Sequence, residues 1–373
     1  MNPRVRSTTI LVLAAVVATW FVARPAHGAR PPVRSAPVWS APVWSAPVSD
    51  GPWDLAADAR GAVVVTSRPG VRALDPAGHE RWSVHLDGLV EAPPALGHDV
   101  VLVGGERAVT ALARADGAPR WRAPMGGDVH ALAMSGAVAL AGDRAGTLAA
   151  FDAATGAVRW SVTFPGALWS APRVDTATGA VVATWHQTDT PAVRALDLRT
   201  GALRWEAPTA TSTAAPALGP GVVLLAIGDG HRHARVEARD LVTGARRWQT
   251  PVPSSFEEAI EPAVGAGVVA VVDHFGVVSL LDVATGRIRW RHDLAHALIA
   301  TRMVLTPRRV VFSSFSGEVF VLDRADGHLL ALLGRHRLGG YAVALRRAPW
   351  GRPARLLVAL RLGAWRVDLR RIP

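Results

Sequence analysis

The chain has 373 residues, and its 41 basic side chains, all arginine, outnumber 30 carboxylates to leave a formal charge of +11. It contains no cysteine, which excludes disulfides, thiolate metal sites, cysteine nucleophiles and a lipidated N-terminal cysteine. Half of the residues are hydrophobic, so a large core is available, and an exported form must be held by packing alone.

Residues 1–29 read as a signal peptide: Arg4 and Arg6 give a positive start, 10–23 is an apolar run, and Ala26-His27-Gly28 offers small residues for cleavage. The run falls short of the roughly 20 residues of a spanning helix. Cleavage and export to the periplasm or beyond the cell are therefore expected, with an uncleaved membrane anchor at 10–23 as the alternative. Residues 30–52 form a Pro-rich linker in which Ser-Ala-Pro-Val recurs every five residues, at Ser35, Ser40 and Ser45. A five-residue period suits neither strand nor helix, so the segment reads as an extended tether. The alternative is that part of it adds as an outer strand to the last repeat. Trp169-Ser170-Ala171-Pro172 echoes the same phrase further on.

From residue 53 to 373 one unit repeats. Its clearest copy is Leu281-Asp282-Val283-Ala284-Thr285-Gly286-Arg287-Ile288-Arg289-Trp290. Apolar residues alternate ahead of the Asp, as in a strand with one buried face. Asp-x-x-Thr-Gly is a turn: the carboxylate accepts nearby backbone N–H groups and the Gly supplies a positive φ. A second short strand then ends in Trp. The tryptophans fall at 82, 121, 160, 205, 248 and 290, with Ala331 in the seventh place, at spacings of 39, 39, 45, 43, 42 and 41. A period near 40 residues built of short strands predicts an all-β fold, a β-propeller of four-stranded antiparallel blades. First strands are expected near Trp53, Glu91, His130, Ser170, Ala214, Ile260, Leu298 and Tyr341. That predicts eight blades, with seven as the alternative. The eighth is short of its outer strand unless the N-terminal segment supplies it.

The repeat Asp and Trp residues, Asp75, Trp82, Trp121, Asp152, Trp160, Asp197, Trp205, Asp240, Trp248, Asp282, Trp290 and Asp323, are expected to be structural, each Trp wedging between adjacent blades. Trp is followed by Ser83, Arg122, Ser161, Glu206, Gln249 and Arg291, never by the Asp of a WD40 repeat. Ala195, Asp197, Gly201 and Trp205 instead resemble the tryptophan-docking repeat of the pyrroloquinoline-quinone (PQQ)-like propeller family, as do the sets ending at Trp160 and Trp248. That family holds quinone enzymes and the propeller component of outer-membrane β-barrel assembly. The resemblance implies the fold, and it implies that PQQ with Ca²⁺, if bound, would sit over the face built by two loop classes. These are the loops from second to third strand and from fourth strand to the next first strand.

Reading those loops gives a candidate binding face: Trp169, Trp185, His186, His231, His233, Glu257, Glu258, His274 and Phe315. His231-x-His233 is a weak metal pattern and Glu257-Glu258 a weak Ca²⁺ or base pattern, both more economically solvated loops. Asp273 and His274 are neighbours on extended backbone, which points them apart. Interleaved Trp, His and Phe suit a peptide or flat ligand. The only Asn is Asn2, so the Asn ligand that the resemblance associates with quinone enzymes is missing from the mature chain. The expectation is a monomeric, non-enzymatic scaffold without cofactor or metal, binding a protein or peptide in the cell envelope. A PQQ-dependent dehydrogenase or an extracytoplasmic sensor is the alternative. Ten arginines between Arg335 and Arg371 face only Asp368, a surface for an anionic partner. Nothing resembles a nucleic-acid module, so nucleic acid is not expected.

Overall fold

The computed structural model describes residues 44–46 and 52–368, except for 58–62, 68–69, 76, 89–91, 211, 229–233, 253–260, 274–275, 295–299, 315–317, 334–339, 347–354 and 361–362. The signal segment therefore lies outside the described residues. Contacts divide the chain into Met1–Ser35 and Ala36–Pro373, and every described strand belongs to the second unit.

The repeat folds as its chemistry dictates. In the fourth sheet, Arg173–Asp175, Ala180–Trp185, Ala192–Asp197 and Leu203–Pro208 pair antiparallel in chain order. The described strands form eight antiparallel sheets, seven of four strands and one of five, and the last takes its outer strand, Trp44–Ala46, from the N-terminal segment. Their first strands pack one against the next, and Gly340–Arg346 of the last sheet packs against both Ala300–Leu305 and Pro52–Ala57 of the first. The molecule is thus a β-propeller. Its core is a series of layers between sheets. One layer joins Ala195, Val193 and Trp205 of the fourth sheet to Val223, Leu225 and Ile227 of the fifth. Another joins Leu140, Leu148 and Trp160 to Val181 and Trp185. Each sheet is apolar on both faces in its middle strands, so neither face is stable until a neighbour covers it.

Several first strands begin later than the sequence pattern suggests. The second sheet starts at Ala95, the fourth at Arg173 and the sixth at Ala263. Each start follows a proline, Pro94, Pro172 or Pro262. Proline lacks the N–H that a ladder needs, so pairing starts after it. Pro216 splits the fifth sheet's first strand into Ser212–Thr213 and Ala217–Gly219, both paired with Val222–Gly228.

Most repeat turns are locked by an Asp, whose place Ala113 takes in the second sheet. In the fourth sheet, the N–H groups of Arg199 and Thr200 and the Thr200 hydroxyl donate to Asp197 Oδ1 at 3.0, 2.9 and 3.0 Å. A register shift follows the Ala195–Trp205 pair, leaving Arg204 in a bulge. The bulge re-aims that arginine, and its Nη2 donates to Asp197 Oδ2 at 2.7 Å. The same arginine contact recurs at Asp152, Asp240 and Asp282, through Arg159, Arg247 and Arg289. These guanidiniums, with the Thr and backbone donors, hold the carboxyls of Asp152 and Asp197 down to about 2, and those of Asp240 and Asp282 below the usual range.

The tryptophans then tie sheet to sheet. The indole N–H of Trp205 donates to the Leu241 carbonyl of the next sheet at 2.9 Å. Trp82, Trp121, Trp160, Trp248 and Trp290 donate in the same way to Arg114, Ala153, Leu198, Val283 and Arg324, at 2.8–3.0 Å. The ring lies on the glycine of that next turn. A Cβ on Gly244, whose φ is +73°, would come within 2.7 Å of the Trp205 ring. Glycine is therefore required twice at this position, for its backbone angle and for the space above it.

Candidate functional site

The loop face opposite the Asp turns is built by backbone ties between neighbouring sheets. Asp143 is buried at the end of Val138–Asp143. Its Oδ1 accepts the Thr147 N–H at 2.8 Å, and its Oδ2 accepts the Gly127 N–H at 2.9 Å. It thereby fixes both the 143–147 turn and the connection before it. Asp273 Oδ1 accepts the Val277 N–H, and Ser314 Oγ the Glu318 N–H, in the equivalent turns. Sequence reasoning missed these caps, although Asp or Ser, two residues and Gly spell them at 143, 273 and 314.

Across the next connection, Ala167 and His186 exchange two backbone hydrogen bonds at 2.8 and 3.0 Å. The Leu168 N–H also donates to the Asp143 carbonyl at 3.0 Å. With Leu168 buried, Trp169 is turned outward and remains 37 % exposed. Its ring sits 4.8 Å from that of His130, tilted by 42°. The Arg144 guanidinium lies 4.4 Å above it. This aromatic and cationic cluster spans the third and fourth sheets. Nearby, Arg107 and Gln187 hold positive φ angles of 51° and 55° in the second-to-third-strand loops.

Two residues expected to offer their side chains on that face are buried beneath it. Trp185 is fully buried, donates its indole N–H to the Gly146 carbonyl at 2.9 Å and meets Phe164 edge-on at 5.3 Å. Arg194, itself buried, lies 5.1 Å from the Trp185 ring, 4.5 Å from Phe164 and pairs with Glu206. His186 is buried against Thr184, with Nε2 at 2.9 Å from the hydroxyl, and burial pushes its pKa down to about 4. It is neutral at ordinary pH. Both side chains are packing groups because the loop folds down over the seam and buries them. Arg173 of the fourth sheet pairs with Glu261 at the start of the sixth, across the intervening sheet. His231, His233, Glu257, Glu258, His274 and Phe315 lie outside the described residues. Among the described residues no group of three or more His, Asp and Glu could hold a metal ion.

A family model described as outer membrane protein assembly factor BamB matches residues 34–145 and 105–331, together most of the chain. The chain belongs to this BamB family. A BamB of Burkholderia pseudomallei is 26% identical over 304 residues, covering 78% of this chain and 67% of that protein. The crystal structure of BamB from Moraxella catarrhalis aligns with a TM-score of 0.64 at 18% identity, over 87% of this chain and 92% of that one. A quinohemoprotein alcohol dehydrogenase from Comamonas testosteroni aligns with a TM-score of 0.68 at 13% identity, over 87% of this chain and 73% of that one. At such identities the two structures share the fold alone. BamB-family membership accords with the docking repeat at Trp160, Trp205 and Trp248.

Proposed function

We propose that this chain is an exported, non-enzymatic scaffold of outer-membrane protein assembly that grips a protein or peptide partner in the cell envelope through the Trp169 face. One observation carries the reading: a tryptophan left 37 % exposed, between a stacked His130 and an overlying Arg144. Exposed aromatic and arginine side chains on a rigid base are the groups that dominate protein recognition. The backbone ties from Asp143 and His186 fix that base at little entropic cost on binding.

The test replaces Trp169 and Arg144 by Ala together, leaving Asp143 intact. The variant should keep the wild-type melting temperature. In the source bacterium it should lose chemical cross-linking to the β-barrel assembly machinery and lower the level of assembled outer-membrane proteins. Undiminished cross-linking and assembly would refute the reading. The dehydrogenase reading rests on shared fold, and titration with PQQ and Ca²⁺ separates it. Stoichiometric binding with dye reduction would establish it in place of the scaffold.

A further inference from the structure

The seam between the last and first sheets has no tryptophan from the six regular positions. In every regular sheet the docking Trp occupies one register: it pairs with the residue two before the turn position, as Trp205 pairs with Ala195, two before Asp197. Trp160 pairs with Ala150, Trp248 with Ala238 and Trp290 with Leu280 on the same rule. In the last sheet the third strand is Gly363–Asp368, and its neighbour is Trp44–Ala46 from the Pro-rich segment. Trp44 pairs with Arg366, two before Asp368. A tryptophan from the opposite end of the sequence therefore stands in the docking register of the last sheet.

The seventh sheet supports this from the other side. Its docking position holds Ala331, paired with Val321. In regular sheets the ring is received by the Gly of the following sheet's turn between third and fourth strands. The third and fourth strands of the last sheet are 363–368 and 44–46, from opposite ends of the sequence, so no hairpin turn carrying such a glycine joins them. The first sheet does have its turn, with Asp75 Oδ1 accepting the Ala77 and His79 N–H groups and Gly78 at φ +94°. It is the one sheet whose turn has no regular tryptophan before it.

We infer that Trp44 is the docking tryptophan of the last sheet and serves the seam to the first sheet, so that the N-terminal segment closes the ring by packing as well as by strand pairing. The pentad repeat gives it an understudy. Trp39-Ser40-Ala41-Pro42-Val43 matches Trp44-Ser45-Ala46-Pro47-Val48 residue for residue, so a slip of five would set Trp39 in the same register.

Because the chain has no cysteine, the register can be read by engineered cross-links. Ala46 and Ala364 are direct partners, within disulfide reach. The Ala46→Cys/Ala364→Cys variant should oxidise to completion, while Ala41→Cys/Ala364→Cys should not. Trp39→Ala should melt as wild type, whereas Trp39→Ala/Trp44→Ala should fall in melting temperature by as much as Trp205→Ala. Wild-type melting of the double variant would overturn the inference. So would cross-linking through position 41 in place of 46, which would hand the role to Trp39. The cysteine variants keep both tryptophans, so the register is measurable even if the double alanine variant fails to fold.

Discussion

Trp205 shows at the scale of one residue what holds neighbouring sheets together. Its ring fills the layer with Val223 and Leu225, its N–H satisfies a carbonyl that would otherwise be stranded, and its face rests on Gly244. Trp205→Ala should cost about 3–5 kcal/mol, the range for large core truncations, measured by urea denaturation. Gly244→Ala should also destabilise, because the added methyl meets the ring and the backbone angle disfavours it. The two losses share one contact, so the double variant should cost less than their sum. Equal stability of Trp205→Ala and wild type would remove the seam role. Trp169 and Trp185 are 16 residues apart and opposite in fate: Gly146 offers a carbonyl to the buried Trp185, whereas Trp169 stays 37 % exposed beneath Arg144.

At the scale of the element, the Asp turn and the arginine bulge behave as one unit. The folded pKa values of Asp152 and Asp197, about 2, lie below their ordinary value of 3.8. The stability that these turns contribute is therefore present above pH 4 and is lost as the pH falls toward 2. Denaturation midpoints should be flat near neutrality and drop in that window, and Asp197→Asn should flatten the drop. A protein whose midpoint holds steady to pH 2 would show that these carboxyls are not linked to folding. The turns were legible in the sequence because Asp-x-x-Thr-Gly names both the acceptor and the positive φ. Arg204 stood in the same motif but had no readable role, since a bulge belongs to the pairing of two strands and not to one. First-strand starts were misplaced where Pro94, Pro172 and Pro262 stop the ladder, a rule that was available in the sequence. The burial of Trp185 and His186 was not available there, because it depends on a connection from the neighbouring sheet crossing above them.

At the scale of the whole molecule, charge and closure dominate. With 41 arginines, no lysine and a sequence pI near 11.5, the protein should sediment with vesicles rich in anionic lipid at low ionic strength. It should release as the screening length shortens toward about 10 Å near 0.1 M salt. Replacing Arg352, Arg355 and Arg361 by Ser should weaken that binding; unchanged sedimentation would place the attraction elsewhere. The indole bonds have one more consequence. Each of the six docking tryptophans reaches forward to the following sheet, whereas Trp185, outside the docking register, reaches back to Gly146, so the docking bonds give the wheel a sense of rotation. Injury to a turn is then felt upstream: disrupting Gly244 should quicken amide exchange in Leu203–Pro208, the rim of the preceding sheet, before it reaches Ile288–Asp293.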